Sequence, residues 1–210
     1  MKEGQNEIYY LTGESRRVVE NSPHLEVFKE KGYEALYLVE PVDELLAQSL
    51  TDYESKKLKS VGKGTVKLGS EEEKEKSQQE LQQKEEVASS LLNMLQKSLD
   101  EHVKQVRLSN RLVSSPACLV GTEMDYSPQL ERLLQKGNGG GPKQRRILEL
   151  NPNHDVFMKM HERFKHDSEG GALGEYADLL LGYALLAEGS ELPDPVKFNR
   201  HMVSLMLRTL

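Results

Sequence analysis

The sequence predicts an α+β chain, in which a small α/β three-layer subdomain is followed by a second α+β region rich in helices. Residues 8–60 alternate strand-like and helix-like patterns, and residues 62–86 are rich in glycine and charge. The rest of the chain combines helical apolar spacing with short strand patterns. Strand, helix, strand and helix in this order favour a parallel pair with a right-handed crossover.

The first unit is built from alternating strands and helices. In chain order these are a strand over residues 8–11, helices over 15–21 and 23–31, a strand over 33–39 and a helix over 42–50. The run at 33–39 is apolar almost throughout, which predicts a strand buried on both faces.

A change of composition at residues 62–86 predicts a domain boundary near residue 70. Three glycines precede a run of Glu and Lys that contains few apolar residues. Mixed charge without an apolar stripe indicates a linker or a solvated helix, and both alternatives stay open. The chain is therefore divided into residues 1–69 and 70–210, with a charged segment at 70–86.

The second region begins with an amphipathic helix from about Lys84. Its apolar stripe recurs at steps of three or four residues and consists of Ala88, Leu92, Leu95, Leu99, Val103 and Val106. Such a stripe is typical of a core face. The elements expected after it are strands over 106–113, 117–120 and 145–150 and helices over 153–165, 175–188 and 195–210.

Composition limits the classes of function. The formal net charge is -6, which does not favour nucleic-acid binding, since that needs a basic patch or stripe. No apolar run approaches the roughly 18 to 20 residues of a membrane span, and the first residues lack a signal-peptide core. A single cysteine, Cys118, fits a reducing compartment and is typical of a small buried residue. We therefore expect a soluble, cytoplasmic protein.

No catalytic or metal-binding set is visible in the sequence. His161 and His166 are five residues apart, whereas the zinc-protease motif needs a spacing of four. The glycine loop at 137–142 precedes a strand and lacks the Gly-Lys-Ser/Thr ending of a phosphate loop. Residues 62–65 lack that spacing too. The sequence therefore predicts no catalytic residue, metal ligand or cofactor ligand, and an enzyme acting through the α/β unit is the least favoured alternative.

The last two helices are apolar on several sides. Such a helix is buried, and at the chain end a small domain has little mass left to cover it. The pattern predicts an interface with a second copy of the chain, with an ordinary core position as the alternative. The expected interface residues are Leu180, Tyr183, Ala184, Val196, Met202, Val203, Leu205, Met206 and Leu210.

A short amphipathic helix after Ser127-Pro128 is a second candidate surface. Its apolar residues fall on one face at i, i+4, i+7 and i+8, and they are Tyr126, Leu130, Leu133 and Leu134. Held by the glycine loop, this helix can pack internally or present its apolar face to a partner. Pattern alone favours internal packing.

Several runs of the chain resemble the heat-shock protein 90 family, in the same order along the sequence. They are MKEGQ (1–5), IYYLTG (8–13), SPHLE (22–26), EPVDE (40–44), VRLSNRL (106–112), SPA (115–117) and LELNPNH (148–154). The resemblance covers nearly the whole chain except the charged segment and the glycine loop.

The resemblance implies a carboxyl-terminal fragment of a bacterial-type member. Residues 1–69 would end the middle domain, and residues 70–210 would form a dimerisation domain whose last two helices pair with their twins in an intersubunit four-helix bundle. The family's client-holding helix falls on Tyr126, Leu130, Leu133 and Leu134. ATP and Mg²⁺ would act on missing sequence, so the fragment itself is expected to be no enzyme and to hold no cofactor.

The partners implied by the resemblance are a second copy of the chain and unfolded or partly folded client proteins. The chain ends without the acidic tail on which tetratricopeptide co-chaperones dock, so that docking is not expected. The main hypothesis is a dimerising, client-binding chaperone fragment. The alternative is a purely structural dimerisation scaffold in which the helix at 126–134 packs internally.

Overall fold

The computed structural model describes residues 1–2, 4–138, 144–167 and 172–209. Its first sheet has four strands in the order β2-β1-β4-β3. The strands are β1 Ile8–Thr12, β2 Ala35–Leu38, β3 Asp52–Tyr53 and β4 Lys56–Ser60. β1 lies at the centre and runs parallel to both β2 and β4, whereas β3 pairs antiparallel with β4. The predicted parallel pairing of β1 and β2 is confirmed.

Short helices connect these strands. They are α1 Arg16–Glu20, a 3-10 turn Pro23–Leu25, α2 Glu26–Glu30 and α3 Pro41–Ser49. Serine side chains cap the starts of α1 and of the 3-10 turn, because each accepts a hydrogen bond from a backbone N–H. α3 begins with a proline and a reciprocal capping box between Glu40 and Asp43.

Two features of this sheet differ from the prediction. β2 is an edge strand, with Leu36 51% exposed, so it is not buried on both faces. The hairpin of β3 and β4 is absent from the prediction. Its turn uses Glu54 and Ser55 at positive φ of 47° and 63°, in place of the Asn-Gly or Asp-Gly pair that normally indicates such a turn.

The charged segment is a solvated helix. α4 spans Glu71–Ser98 and starts with a capping box in which Ser70 and Glu73 each satisfy the other's backbone N–H. Its apolar stripe enters the core at Ala88, Leu91, Leu92 and Leu95. The predicted continuation of this helix through Val103 and Val106 is wrong, because both residues lie in the next strand.

A second sheet of three strands follows, in the order β5-β7-β6. β5 is Val103–Leu108, β6 is Ala117–Val120 and β7 is Arg146–Leu150. The central strand β7 is parallel to β5 and antiparallel to β6. The remaining helices are α5 Pro128–Asn138, α6 Asp155–His166, α7 Ala172–Ala187 and α8 Pro195–Thr209.

The described residues form two large apolar clusters and a small third one. One cluster is drawn from residues 9–68 and packs Tyr9, Val19 and Phe28 around the first sheet. The other surrounds the second sheet and receives side chains from α4, α6 and α7. No α-helix among the described residues combines the length and hydropathy needed to cross a membrane.

The position of α7 corrects one part of the predicted fold class. α7 packs on β6 and α4, and Leu180 and Ala184 are only 7% and 1% exposed. Its apolar face is therefore buried in the core of its own chain. An intersubunit four-helix bundle formed by the last two helices is wrong for α7, because that face is already covered.

Candidate interaction surfaces

Helix α5 is held in place by polar contacts. The Ser127 hydroxyl accepts a hydrogen bond from the Leu130 N–H at 3.0 Å and donates one to Glu44 of α3 at 2.6 Å. Glu131 forms an ion pair with the buried Arg146 and accepts a hydrogen bond from the Gln144 N–H at 2.9 Å. The side that faces the protein is therefore largely polar.

The polar side of α5 continues along the helix. Gln129 is only 6% exposed. Arg132 lies 2.9 Å from the Glu14 carboxylate and donates a hydrogen bond to the Gly189 carbonyl at 3.3 Å. These contacts join α5 to the first sheet's loops and to the turn after α7.

The apolar residues of α5 point to a large extent into solvent. Tyr126, Leu133 and Leu134 are 47%, 40% and 41% exposed, and Leu130 is half-buried. Met124, just before the helix, is 90% exposed. Of the four predicted client-binding residues, three therefore lie open on one helix and its entrance.

Helix α3 adds apolar residues that the sequence analysis did not single out. Val42, Leu45 and Leu46 are 65%, 62% and 47% exposed, and α3 contacts α5. Their spacing of i, i+3 and i+4 was a recognisable signal of one helix face. It resembles an ordinary core stripe, so only the structure shows that the face is open.

The predicted interface residues fall into two groups. Leu180 and Ala184 are buried within the chain, whereas Tyr183 is 38% exposed and donates a hydrogen bond to the Ser115 hydroxyl at 3.1 Å. On α8, Val196, Met202, Val203 and Met206 are 69%, 38%, 55% and 56% exposed, while Leu205 is half-buried. Leu210 lies outside the described residues.

Polar contacts between α7 and α8 hold the last helix against α7. Lys197 lies 2.7 Å from Asp178, and His201 lies 3.3 Å from the same carboxylate. Arg208 pairs with Glu175 at 3.0 Å. These contacts occupy the side of α8 that faces α7, so its exposed apolar residues lie elsewhere on the helix surface.

The other sequence candidates do not form a reactive site. Cys118 is 2% exposed, and burial, followed by the nearby Glu149 charge, raises the pKa of its thiol well above the ordinary value. His161 and His166 lie on α6, and within the described ranges no group of three or more His, Cys, Asp or Glu could hold a metal ion. Most of the glycine loop at 137–142 lies outside those ranges.

Comparison with known proteins shows which family the chain resembles. The model of the Hsp90 protein family matches residues 1–210. Chaperone protein HtpG of Frankia casuarinae is 46% identical over 210 residues, which cover 100% of this chain and 32% of the relative. The HtpG proteins of Nocardia farcinica and Geobacter sulfurreducens are 46% and 45% identical, over 100% and 99% of this chain and 33% and 32% of the relatives. The chain spans about a third of the length of these curated relatives.

Three predictions need correction in the light of these matches. They are the carboxyl-terminal dimerisation fold, the absence of an enzymatic activity, and the absence of ATP and Mg²⁺ from this segment. The family model covers every residue of the chain, and the matched part is 32% of the first relative. Because the match is to the family as a whole, it gives no reason to assign ATP hydrolysis only to another part of the protein. All three predictions are therefore withdrawn.

The side chains around one cavity beside α5 do not fit a magnesium nucleotide. This cavity has a volume of about 470 Å³, and three arginines line it. Each arginine has a partner: Arg146 pairs with Glu131, Arg132 with Glu14, and Arg145 donates a hydrogen bond to the Asp100 carbonyl at 2.9 Å. Two of the three arginines are already paired with carboxylates, and four glutamates line the same cavity, which does not suit a triphosphate. No catalytic step is assigned to this cavity.

The assignment to a family rests on two independent comparisons. The family model matches the whole chain, and the relatives named above share 45–46% of its residues across nearly all of its length. The resemblance found in the sequence is thereby confirmed at this level: the chain belongs to the Hsp90 protein family.

Proposed function

We propose that this chain acts as part of a molecular chaperone, and that the surface made by α5 and α3 binds apolar segments of unfolded or partly folded proteins. The observation that carries the proposal is the orientation of α5. This helix meets the protein through Gln129, Glu131 and Arg132 and presents Leu133 and Leu134 to solvent.

An ordinary surface helix has the opposite orientation, with its apolar stripe against the core. Burying apolar area is favourable by roughly 25 cal/mol per Å². A helix that leaves its leucine face exposed therefore lacks this contribution to the free energy of folding. Contiguous exposed apolar patches are uncommon on monomeric proteins and mark sites of protein association. The reversed orientation of α5 therefore favours a binding surface over a structural element.

The adjoining face of α3 extends this surface. The hydrogen bond from Ser127 to Glu44 ties the start of α5 to α3, while Leu45 of α3 remains 62% exposed. The two helices, which contact each other, thus both contribute exposed apolar side chains to the proposed surface. Such a surface suits varied apolar segments, because it places few directional demands on them.

The alternative is a structural scaffold in which α5 has no client-binding role. A Leu133→Ser/Leu134→Ser double variant separates the two. Its matched control is Leu186→Ser on α7, where the leucine is 54% exposed and distant from α5 in sequence. The measurements are suppression of aggregation of a heat-denatured model protein and the thermal midpoint of each variant.

We expect the double variant to lose most of its aggregation suppression with an unchanged midpoint, and the control to keep both. A lowered midpoint with retained suppression would support the scaffold and contradict the proposal. Deleting two exposed leucine side chains should change the free energy of unfolding by only about 0.5 kcal/mol or less, since surface substitutions are usually neutral.

Self-association through α8 is the second candidate function. It is supported by Val196 and Val203, which are 69% and 55% exposed on a helix whose other side is fixed by ion pairs to α7. Val203→Glu should weaken a homodimer because a charge would be desolvated at the contact. Val87→Glu is the control, since Val87 is 71% exposed on α4. Sedimentation equilibrium should show a lower mass for Val203→Glu alone, and equal masses for both variants would remove this interface.

We also propose that the protein is cytoplasmic. The relatives are named as chaperones, and the single cysteine is unpaired and buried, as is usual in a reducing compartment. Fractionation of cells that express the chain would test it, and recovery in the membrane or secreted fraction would contradict it.

A further inference from the structure

A small cavity with several polar side chains in its lining lies behind α5, separate from the exposed apolar face of that helix. Its volume is about 40 Å³, and it is lined by residues from the first sheet's loops, from α5 and from the end of α7. Three of its lining side chains, His24, Gln129 and Glu188, come from these three different parts of the chain. All three are more than nine-tenths buried.

Each of these side chains has a polar atom without a hydrogen-bond partner among the described residues. The atoms are His24 Nδ1, Gln129 Oε1 and Glu188 Oε2. Glu188 Oε2 lies 3.8 Å from Arg146 Nε, which is too long for a hydrogen bond. The fourth lining group, Arg132 Nε, lies 2.9 Å from Glu14 but lacks hydrogen-bond geometry with it.

The mixture of donors and acceptors identifies the kind of ligand that fits. Gln129 Oε1 and Glu188 Oε2 accept hydrogen bonds, whereas Arg132 Nε donates one. A simple anion only accepts, so it would leave both oxygens unsatisfied. An apolar ligand would leave all of these atoms unsatisfied, at about 1–3 kcal/mol for each buried group.

Water satisfies both kinds of group, because each molecule donates and accepts. A buried water needs roughly 10–15 Å³ of free volume and two to four polar partners, so a cavity of this size holds about three or four water molecules. Burial, together with the positive charges of Arg111 and Arg146, lowers the pKa of His24 to about 3. The neutral ring then offers one donor and one acceptor nitrogen.

We propose that this cavity is a water-binding site. A small ordered cluster of water molecules bridges His24, Gln129 and Glu188 and so holds α5 against the rest of the chain. The bridge explains how a helix can dock through a buried glutamine whose Oε1 has no hydrogen-bond partner among the described residues. It also fixes the orientation in which α5 presents Leu133 and Leu134. This inference concerns the contact between α5 and the rest of the chain and does not depend on what the outer face of the helix binds.

The test is a high-resolution crystal structure of the chain, with a second crystal soaked in bromide. We expect water peaks at about 2.7–3.2 Å from Gln129 Oε1, Glu188 Oε2 and His24 Nδ1. A cavity without density, or an anomalous bromide peak inside it, would overturn the proposal. The second result would mean an anion site.

Variants of similar volume sharpen the test. Gln129→Leu should remove the peak next to position 129 and retain the one at Glu188. Gln135→Leu, on the same helix but outside this cavity, should retain every peak. An unchanged cluster in Gln129→Leu would contradict the bridging role. If that variant does not fold, the crystals of the unaltered chain still decide the question.

Discussion

The Glu149 carboxylate accepts a hydrogen bond from Arg111 Nε at 2.8 Å, and the two side chains are 3% and 0% exposed. The remaining nitrogens of Arg111 donate to the carbonyls of Val61 and Gly64. One buried guanidinium therefore joins the central strand of the second sheet to the end of the first unit. Arg107 adds a further ion pair to the same carboxylate at 2.6 Å.

Arg111→Ala should destabilise the chain by about 3–5 kcal/mol, because it leaves a buried carboxylate short of one partner and the Val61 carbonyl unsatisfied, while the Gly64 carbonyl keeps a hydrogen bond from Arg107. Arg16→Ala is the control, since Arg16 is 79% exposed and lies 3.9 Å from Glu20. It should change stability by at most about 0.5 kcal/mol. Urea unfolding at neutral pH measures both, and a loss below 1 kcal/mol for Arg111→Ala would contradict the structural role of this contact.

Elements with a strong periodic pattern or a clear cap could be predicted from the sequence. The cap and proline at Ser22-Pro23, the stripe of α4 and the apolar β6 all appear close to their expected positions. The hairpin of β3 and β4 could not be predicted, since Lys56–Ser60 is rich in lysine and its turn has no glycine. Whether an apolar helix is buried or exposed could not be predicted from the pattern either, because α7 and α8 look alike in sequence but differ in burial.

The candidate site shows the same limit. The sequence singled out Leu133 and Leu134, yet their period is the same for a buried and an exposed face. What decides between the two is the opposite side of α5, where Glu131 meets Arg146 of a distant strand. A contact between residues 15 apart in sequence leaves no periodic signal, so only the fold reveals it.

Glu26 connects α2 to the loop at 113–115 and should make stability depend on pH. Its carboxylate accepts hydrogen bonds from the backbone N–H groups of Val113, Ser114 and Ser115 and from both serine hydroxyls. Burial acts to raise the pKa of Glu26, but the hydrogen bonds from Ser115 and the three backbone groups outweigh it and lower the pKa.

A lowered pKa in the folded state means that the contact contributes stability above the unfolded-state value of about 4.3 and loses it as pH falls through the folded-state value. Glu26→Gln should therefore be less stable than the unaltered chain at pH 7, by about 1–2 kcal/mol. The difference should shrink below pH 4. Urea unfolding at several pH values measures it, and a difference that stays constant down to pH 3 would show that Glu26 acts through packing alone.

Cys118 should be inert in the folded chain. The thiolate is the reactive form of cysteine, and burial at 2% exposure raises the pKa of this thiol. A chromogenic disulfide reagent at pH 8 should label it only as fast as the chain opens, and in urea the reaction should become complete within minutes. Fast labelling in native buffer would mean that β6 is accessible and that the small cluster around it opens locally.

The contact between α7 and α8 is tight enough to be tested by a single methyl group. A Cβ added at Gly182 would lie 2.4 Å from two ring atoms of Phe198, whereas one added at Gly174 of the same helix would meet nothing within 4 Å. Alanine is better than glycine in a helix interior by about 1 kcal/mol, so Gly174→Ala should raise the free energy of unfolding. Gly182→Ala gains the same propensity but must displace the Phe198 ring and with it α8. We expect faster amide hydrogen exchange along Pro195–Thr209 in Gly182→Ala and unchanged exchange in Gly174→Ala. Equal exchange in the two variants would show that α8 adjusts to the added methyl group without losing its packing against α7.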